Sequence, residues 1–484
     1  MNKNNFKRIS HNIWEIPRDF KEGMRVPARV LSSPELFGGI DHKVIDQITN
    51  VACLPGIKKY ALCMPDGHMG YGFPIGGVAA FSIDDGVISP GGIGFDINCG
   101  MRILRTNLTF DELRPKMEEL LSRLFATIPS GVGSKGFLKL NRQQFNQLTE
   151  QGVGWCLENG YATESDAERT EDRGCLPNAD HRTVSEKAIS RGINQMGTLG
   201  SGNHYLEVEI ARPDEIYDPV VAGRYGIDRD DQVVIGIHCG SRGFGHQIAT
   251  DYLQVFSRCA GKYGLRVRDK ELMAAPIKSE EGRRYASAMA CAANSAFVNR
   301  QLITYGVRRV FRSVFGKSDQ ELGIELIYDV AHNIAKFEEY EIDGKEETLL
   351  VHRKGATRSF GPGKKEIPEI YRDVGQPVIV GGSMETGSAL LYGTSEADEE
   401  TFGSSLHGAG RTMSRMKAKR TTRGDTVKQR MKESGILVKT GYMPGLAEEA
   451  AFAYKNIDAV VEAVDALGIS KKVARFYPVL NIKG

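Results

Sequence analysis

Several features are missing from this 484-residue chain, and each absence narrows the possibilities. No run approaches the roughly 18 apolar residues that a membrane-spanning helix needs. The opening MNKNNFKRIS has no apolar signal core, so secretion is not expected. Eight cysteines are scattered with no CxxC pair, which argues against a finger-type zinc site and against a disulfide scaffold. Reduced thiols and a cytoplasmic location follow as expectations. No charge sign dominates: Lys+Arg is 63 and Asp+Glu is 61. The chain is therefore no bulk polycation, and nucleic-acid binding would need a local patch. There is no GxxxxGK[ST], so a P-loop ATPase is unsupported. No repeat, low-complexity tract or Pro/Ser linker divides the chain, which reads as one large domain spanning 1–484.

What is present is globular. Hydrophobic residues are 41% and charged residues 26%, ordinary for a packed core. Glycine is enriched, at 55 residues against a usual level of roughly 7%. Val78–Ile83, Asp84-Asp85-Gly86 and Val87-Ile88 predict a hairpin, with Gly86 supplying a positive φ. Thr109 and Glu112 have capping-box spacing ahead of a helix over 110–126, with Pro115 in its first turn. Val233–Ile237, Ile324–Tyr328 and Pro377–Val380 read as strands, and 284–304 as an Ala-rich helix. Asn456 would cap a last helix ending at Leu467-Gly468. Residues 156–183, with Glu158, Glu164, Asp166, Glu168, Glu171 and Asp172 among their acids, read as an exposed polar insertion. Interleaved strands and helices without regular βαβ spacing favour a mixed α/β, α+β-like fold.

The histidines carry the chemical signal. His11, His42, His181 and His352 read as surface or loop residues. The other six, His68, His204, His238, His246, His332 and His407, sit in Gly-rich turns. His238 ends an apolar strand and His332 follows one, where rigid elements deliver side chains to a cleft. Asp96 and Cys99 share a Gly-flanked turn. Imidazole, thiolate and carboxylate form a borderline-soft set that suits zinc, manganese, iron or cobalt rather than calcium. The competing reading of Cys99 is a small buried hydrophobe. Lys354–Gly363 alternates cations with glycine, in the manner of an anion-binding loop. Arg242 and Arg411 lie within four residues of His238 and His407, and guanidinium forks match phosphate oxygens. From Arg411 to Lys432 nine cations face Asp425 alone. That run is either a solvated helix face or a track for a polynucleotide backbone.

Taken together, PDGHMGYGFPIGG, GGIGFDINCGMR, GTLGSGNHYLE, HCGSRGFGH, DVAHN, HRKGATR, GGSMETGS, LHGAGR and the terminal Lys483 closely resemble the RtcB family of GTP-dependent tRNA-splicing and RNA-repair ligases. The resemblance runs from about residue 20 to Gly484. It implies a single large α/β domain with β sheets around a deep metal cleft, flanked by helices. It implies joining of RNA 2′,3′-cyclic phosphate or 3′-phosphate ends to 5′-hydroxyl ends, using GTP and two Mn2+ ions. In that scheme a histidine takes GMP from GTP, GMP passes to the RNA 3′-phosphate, and the 5′-hydroxyl displaces it.

Carried onto this chain, the resemblance makes His407 the guanylylated nucleophile and Cys99 a thiolate bridging two metals. His238 and His332 would complete one metal site, Asp96 and His204 the other. Asn203 would touch the phosphates and Glu207 the ribose. Ser383, Ser388, Tyr454 and Lys483 would read guanine, and Gly408, Ala409 and Gly410 would belong to the same nucleotide site. Arg242, Lys354 and Arg411 would bind RNA or triphosphate oxygens, with Asp66 as a supporting aspartate. Lys483, near a flexible C-terminus, would fold over the base as a lid. Tyr205 stands where the family pattern has phenylalanine, which adds a hydroxyl and keeps the ring. RNA partners, an archease-type activator, no membrane association and a monomeric state complete the expectation. Two other classes remain open: a dinuclear-metal phosphoesterase or nuclease that activates water, and an RNA-end chaperone, for which cations and aromatics alone would suffice.

Overall fold

The longest apolar runs become strands covered on both faces, and these strands set the site. Gln232–Cys239 is buried at every position, as a continuous run of Val and Ile predicts. It lies inside a large, mainly antiparallel sheet of a computed structural model that describes residues 6–484. The order in that sheet is Glu325–Ala331, Gly100–Thr109, Gln232–Cys239, Tyr205–Ile216, Ser470–Lys483, Ser388–Gly393 and Pro377–Gly381. Leu437–Thr440 adds a parallel partner to Ser470–Lys483. A second sheet of seven strands runs Lys7–Ser10, Ile13–Ile16, Ala28–Leu31, Ile57–His68, Ile75–Ser82, Lys345–Lys354 and Asn333–Ile342. The sheets meet where Ala331 ends one strand and Asn333 begins the next, with His332 between them. Helices flank the sheets, giving the mixed α/β single domain with a deep cleft.

The largest helix, Glu280–Phe315, is 36 residues long, or about 54 Å at 1.5 Å per residue. The Ser279 side chain caps it by accepting from Gly282 N, and Gly316 ends it at φ 63°, where a Cβ would be strained. Its small-residue stretch Ala286–Ala296 allows close packing. The capping box at Thr109 and Glu112 is present, but Pro115 breaks the segment into Phe110–Leu113, a 3₁₀ turn, and Met117–Thr127. The last helix is Ile457–Leu467, capped by Asn456 and ended by Gly468 at φ 80°.

Three expectations are corrected here. The 84–86 turn forms, but Val87–Ile88 leaves its neighbour and pairs with Ala275–Pro276, so there is no hairpin. Gly86 is not at positive φ; a Cβ there would lie 2.2 Å from Ser82 O and 2.8 Å from Phe81 Cβ. The 156–183 segment is not an exposed insertion. Asp166 takes two 2.7 Å hydrogen bonds from Arg308, and Glu171 pairs with Lys336 at 2.8 Å and Arg358 at 3.1 Å, all in buried surroundings. These acids read as solvated only because their cations lie far along the chain. His352 is not a surface residue either. It is 0% exposed between Phe73 and Phe81, and its Nε2 accepts from Ser89 N at 3.2 Å.

Candidate active site

Register explains the site. Gly100 pairs with both Ala331 and Cys239, Met101 with His238, and Tyr205 with His238. The residues at or beside the ends of these strands, Cys99, His204, His238 and His332, therefore converge at one end of four neighbouring strands. Hydrogen-bonded strands hold them there, as precise placement of ligands requires. They line, or lie just behind, a cavity of about 740 Å³ that also takes in Asp96, Asn203, Tyr205, Lys354, Ser383 and His407.

Two triads of ligand atoms share one sulfur. Cys99, His238 and His332 form the first, and Asp96, Cys99 and His204 the second. Cys99 Sγ is 3.2 Å from His238 Nε2 and 3.4 Å from His204 Nε2. His238 Nε2 lies 3.3 Å from His332 Nε2, and His204 Nε2 lies 2.8 Å from Asp96 Oδ2. His204 Nδ1 donates to Leu199 O at 3.0 Å, which leaves Nε2 as the ligand atom. Burial holds His238 and His332 well below the usual imidazole range, so both present lone pairs. Burial, with the Asp96 carboxylate adding to it, pushes the Cys99 thiol up to about 11. His332 Nδ1 is buried with no hydrogen-bond partner. This donor set fits a pair of divalent ions: N, S and O atoms at close range, one sulfur common to both, and a cation to stabilise the thiolate.

His407 stands beside the first triad, its ring centroid 4.7 Å from that of His332. Asp66, from the irregular end of Ile57–His68, accepts at Oδ2 from His407 Nδ1 at 2.6 Å, His407 N at 3.2 Å and Gly408 N at 3.4 Å. Nδ1 thus carries the proton, and Nε2 keeps its lone pair. Gly410, at φ 75°, admits the close pass of Asp66: a Cβ there would lie 2.1 Å from Asp66 O.

The remaining expected residues fall into two groups. Asn203, Ser383, Gly408, Ala409, Gly410, Arg411, Tyr454, Lys354 and Lys483 line the cavity. Glu207 and Ser388 sit behind its wall, where Asn481 donates to Glu207 and Ser388 donates to Glu209 at 2.8 Å. Arg242 also stands back from the cavity lining and packs beside His204, 3.4 Å from its Nδ1. Arg411 is engaged with Tyr454 and the Glu448 carbonyl. Lys354 donates to the Tyr71, Phe73 and Gly91 carbonyls, and burial pulls it down to about 7. Further along its loop, Arg358 faces the buried acids Glu171 and Asp172, so 354–363 is not an open anion loop. Lys483 is not on a flexible lid: it closes the strand Ser470–Lys483, opposite Tyr205, and is buried. In the cationic run, Arg415, Lys419 and Arg430 pair with Glu449, Glu448 and Glu385, while Lys417, Arg420, Arg423, Lys428 and Lys432 stay exposed.

Sequence reasoning missed Asn333, whose Oδ1 accepts from Gly355 N at 2.9 Å and whose Nδ2 donates to Asp96 O at 3.2 Å. Its place next to His332 was the available signal. It also missed Lys455, which donates to Pro65 O and Gly67 O at 2.9 and 2.7 Å and so steadies the Asp66 turn. Nothing local marked that lysine.

Known proteins match the chain over nearly its whole length. The family described as tRNA-splicing ligase RtcB matches residues 47–484. A tRNA-splicing ligase RtcB of Archaeoglobus fulgidus is 51% identical over 478 residues, covering 99% of this chain and 98% of the relative. Those of Thermococcus kodakarensis and Methanococcus maripaludis are 50% and 49% identical over 479 and 482 residues, covering 99% and 100% of this chain and 98% and 100% of theirs.

Proposed function

The chain belongs to the tRNA-splicing ligase RtcB family and acts as an RNA ligase in tRNA splicing, and from that premise we propose a GTP- and manganese-dependent mechanism centred on His407. His407 Nε2 attacks the α-phosphorus of GTP. The N–P bond forms, the bond from that phosphorus to the bridging oxygen breaks, and pyrophosphate leaves with the electron pair. An RNA 3′-phosphate oxygen then takes GMP from the ring, breaking the N–P bond. The 5′-hydroxyl of the second RNA attacks the 3′-phosphorus, loses its proton and expels GMP. A 2′,3′-cyclic phosphate end is first hydrolysed: water adds at phosphorus, the bond to the 2′ oxygen breaks, and that oxygen takes a proton, leaving a 3′-phosphate and a 2′-hydroxyl.

Two Mn2+ ions held by Asp96, Cys99, His204, His238 and His332 would supply Lewis-acid stabilisation of charge on the phosphates. Asp66 holds the His407 tautomer and stabilises positive charge on the ring as it becomes guanylylated. Ser383, Tyr454 and Lys483 bound the cavity with polar groups suited to a purine edge, where a mismatched base would leave buried groups unpaired. The exposed cations Lys417, Arg420, Arg423, Lys428 and Lys432 offer a path for an RNA backbone leading from the cavity rim at Arg411–Arg415. A cytoplasmic location, a monomeric state and an archease-type activator belong to the same proposal. Among the described residues no helix is long and apolar enough to cross a membrane.

The observation that carries the reading is the 2.6 Å contact from His407 Nδ1 to Asp66, with His407 against the shared-sulfur cluster. The test is single-turnover joining of a 3′-phosphate RNA to a 5′-hydroxyl RNA, with each nucleotide triphosphate and each divalent metal in turn. Joined product only with GTP, and best with manganese, is expected. RNA cleavage or phosphate release without nucleotide would replace the ligase mechanism with metal-activated water.

A further inference from the structure

Behind the metal-ligand cluster, two adjacent side chains of the helix Glu280–Phe315 reach every arm that carries a ligand. Arg300 and Asn299 are both 0% exposed. One terminal nitrogen of Arg300 donates to Asn98 O and to Cys239 O, each at 2.8 Å. Asn98 precedes Cys99, and Cys239 follows His238. The other side of the same guanidinium grips Asp329 at 2.8 Å through both carboxylate oxygens. Asp329 lies on the strand that ends at Ala331, just before His332. Asn299 Oδ1 accepts from Gly197 N at 2.7 Å and Thr198 N at 3.2 Å, and its Nδ2 donates to Thr198 O at 3.0 Å. That loop continues into Leu199, whose carbonyl fixes the His204 ring.

From this geometry we infer that Asn299 and Arg300 are positioning residues, a clamp that sets the spacing of the four ligand arms bearing Cys99, His204, His238 and His332. The guanidinium is suited to the task because it is planar and offers five N–H groups in a fixed fork. A lysine ammonium has three donors at one point and cannot serve two carbonyls and a bidentate carboxylate together. Gly100 leaves the room this needs, since a Cβ there would lie 3.2 Å from the guanidinium carbon. A clamp on backbone carbonyls acts on ligand spacing without touching any ligand atom. Its removal lowers metal affinity and changes the geometry at sulfur, as loss of outer-sphere support does elsewhere.

The inference rests on the metal-centre reading above, and the experiment separates the two. Apo protein is titrated with Co2+ and followed by the thiolate-to-cobalt absorption band, and with Mn2+ followed by electron paramagnetic resonance. A wild-type band that is lost in Cys99→Ala establishes the centre; its absence in wild type would end the metal reading itself. With the band present, Arg300→Lys is expected to fold yet bind Mn2+ about 10- to 100-fold more weakly, with a shifted or weakened cobalt band. Arg308→Lys is the control. It loosens another Arg–Asp pair on the same helix, with two 2.7 Å bonds to Asp166 and no hydrogen bond to a ligand arm. Its metal affinity should stay within about threefold of wild type, even where its melting temperature falls as much. Should Arg300→Lys fail to fold, Asn299→Ala carries the same test, with a smaller loss centred on the His204 arm. Wild-type affinity and an unchanged band in a folded Arg300→Lys or Asn299→Ala protein would overturn the clamp.

Discussion

Replacing Asp66 probes the proposed nucleophile, His407, while leaving its own side chain intact. Three N–H groups converge on Asp66 Oδ2, from His407 Nδ1, His407 N and Gly408 N, while Oδ1 has no partner. In Asp66→Asn the two backbone N–H groups select the amide oxygen for the Oδ2 position, so the His407 tautomer survives. What is lost is charge. Hydrogen bonds to charged groups contribute about 1.5–3 kcal/mol and neutral ones about 0.5–1.5, a difference of roughly 1–1.5 kcal/mol. At 1.36 kcal/mol per factor of ten, protein guanylylation should slow about tenfold. The amide nitrogen also falls at the unpartnered Oδ1 position, where a buried unsatisfied donor costs about 1–3 kcal/mol of stability. Asp66→Ala frees the ring to adopt the wrong tautomer and should lose about 10⁴-fold, by analogy with loss of the orienting carboxylate from a catalytic histidine. The assay is the initial rate of covalent label uptake from α-labelled GTP at saturating manganese. A wild-type rate in Asp66→Asn, or Asp66→Ala no slower than Asp66→Asn, would refute the reasoning.

Cys99 serves both ligand triads, so Cys99→Ala should lose both metals, whereas His332→Ala should lose chiefly one; metal content by mass spectrometry decides. His352 makes the fold acid-sensitive. Burial pulls it down to about 3, against about 6.5 unfolded, so between those values the unfolded chain binds more protons. Its contribution is fully present above about pH 6.5 and is lost as pH falls toward 3, with a slope of up to about 1.4 kcal/mol per pH unit. His352→Phe should remove that slope in urea unfolding, and parallel pH profiles would contradict the assignment. Neutralising Lys417, Arg420, Arg423, Lys428 and Lys432 together should weaken RNA binding and flatten its salt dependence by roughly 0.7 per lost phosphate contact. Label uptake from GTP should be unaffected, and an unchanged salt slope would remove these cations from the RNA path. Deleting Lys483 and Gly484 removes a buried cation from the cavity wall rather than a lid. Discrimination between GTP and ATP should therefore fall, and full discrimination after deletion would count against a role in base selection.

How much of this was legible in the sequence depends on where each interaction partner lies. The core strands were, because Val233–Ile237 and Pro377–Val380 are apolar runs that report their own burial. The final helix was as well, since Asn456 and Gly468 state its ends locally. Part of the ligand cluster was visible because His238 and His332 adjoin apolar strands and Asp96 and Cys99 share a Gly-flanked turn, whereas the place of His204 in it came from the family resemblance. Interactions that join distant segments were hidden. Val87–Ile88 reads as half of a hairpin until Ala275–Pro276 takes its place. Asp166 and Glu171 read as solvated until Arg308, Lys336 and Arg358 arrive from more than a hundred residues away. His352 carries no periodic signal that it enters a core. Lys483 looks like a loose end because its strand partners, Tyr205 and Thr440, are invisible from the C-terminal residues alone. Arg300 is one cation in a long helix, and only the fold brings it under Asn98 and Cys239.

The most direct test is to incubate the protein with GTP and manganese, digest it under alkaline conditions that spare a phosphoramidate, and locate the GMP-bearing residue by mass spectrometry. The modified residue should be His407, with no adduct in His407→Ala and a bond that acid cleaves. GMP on a lysine or on another histidine, or no adduct while RNA joining proceeds, would contradict the mechanism.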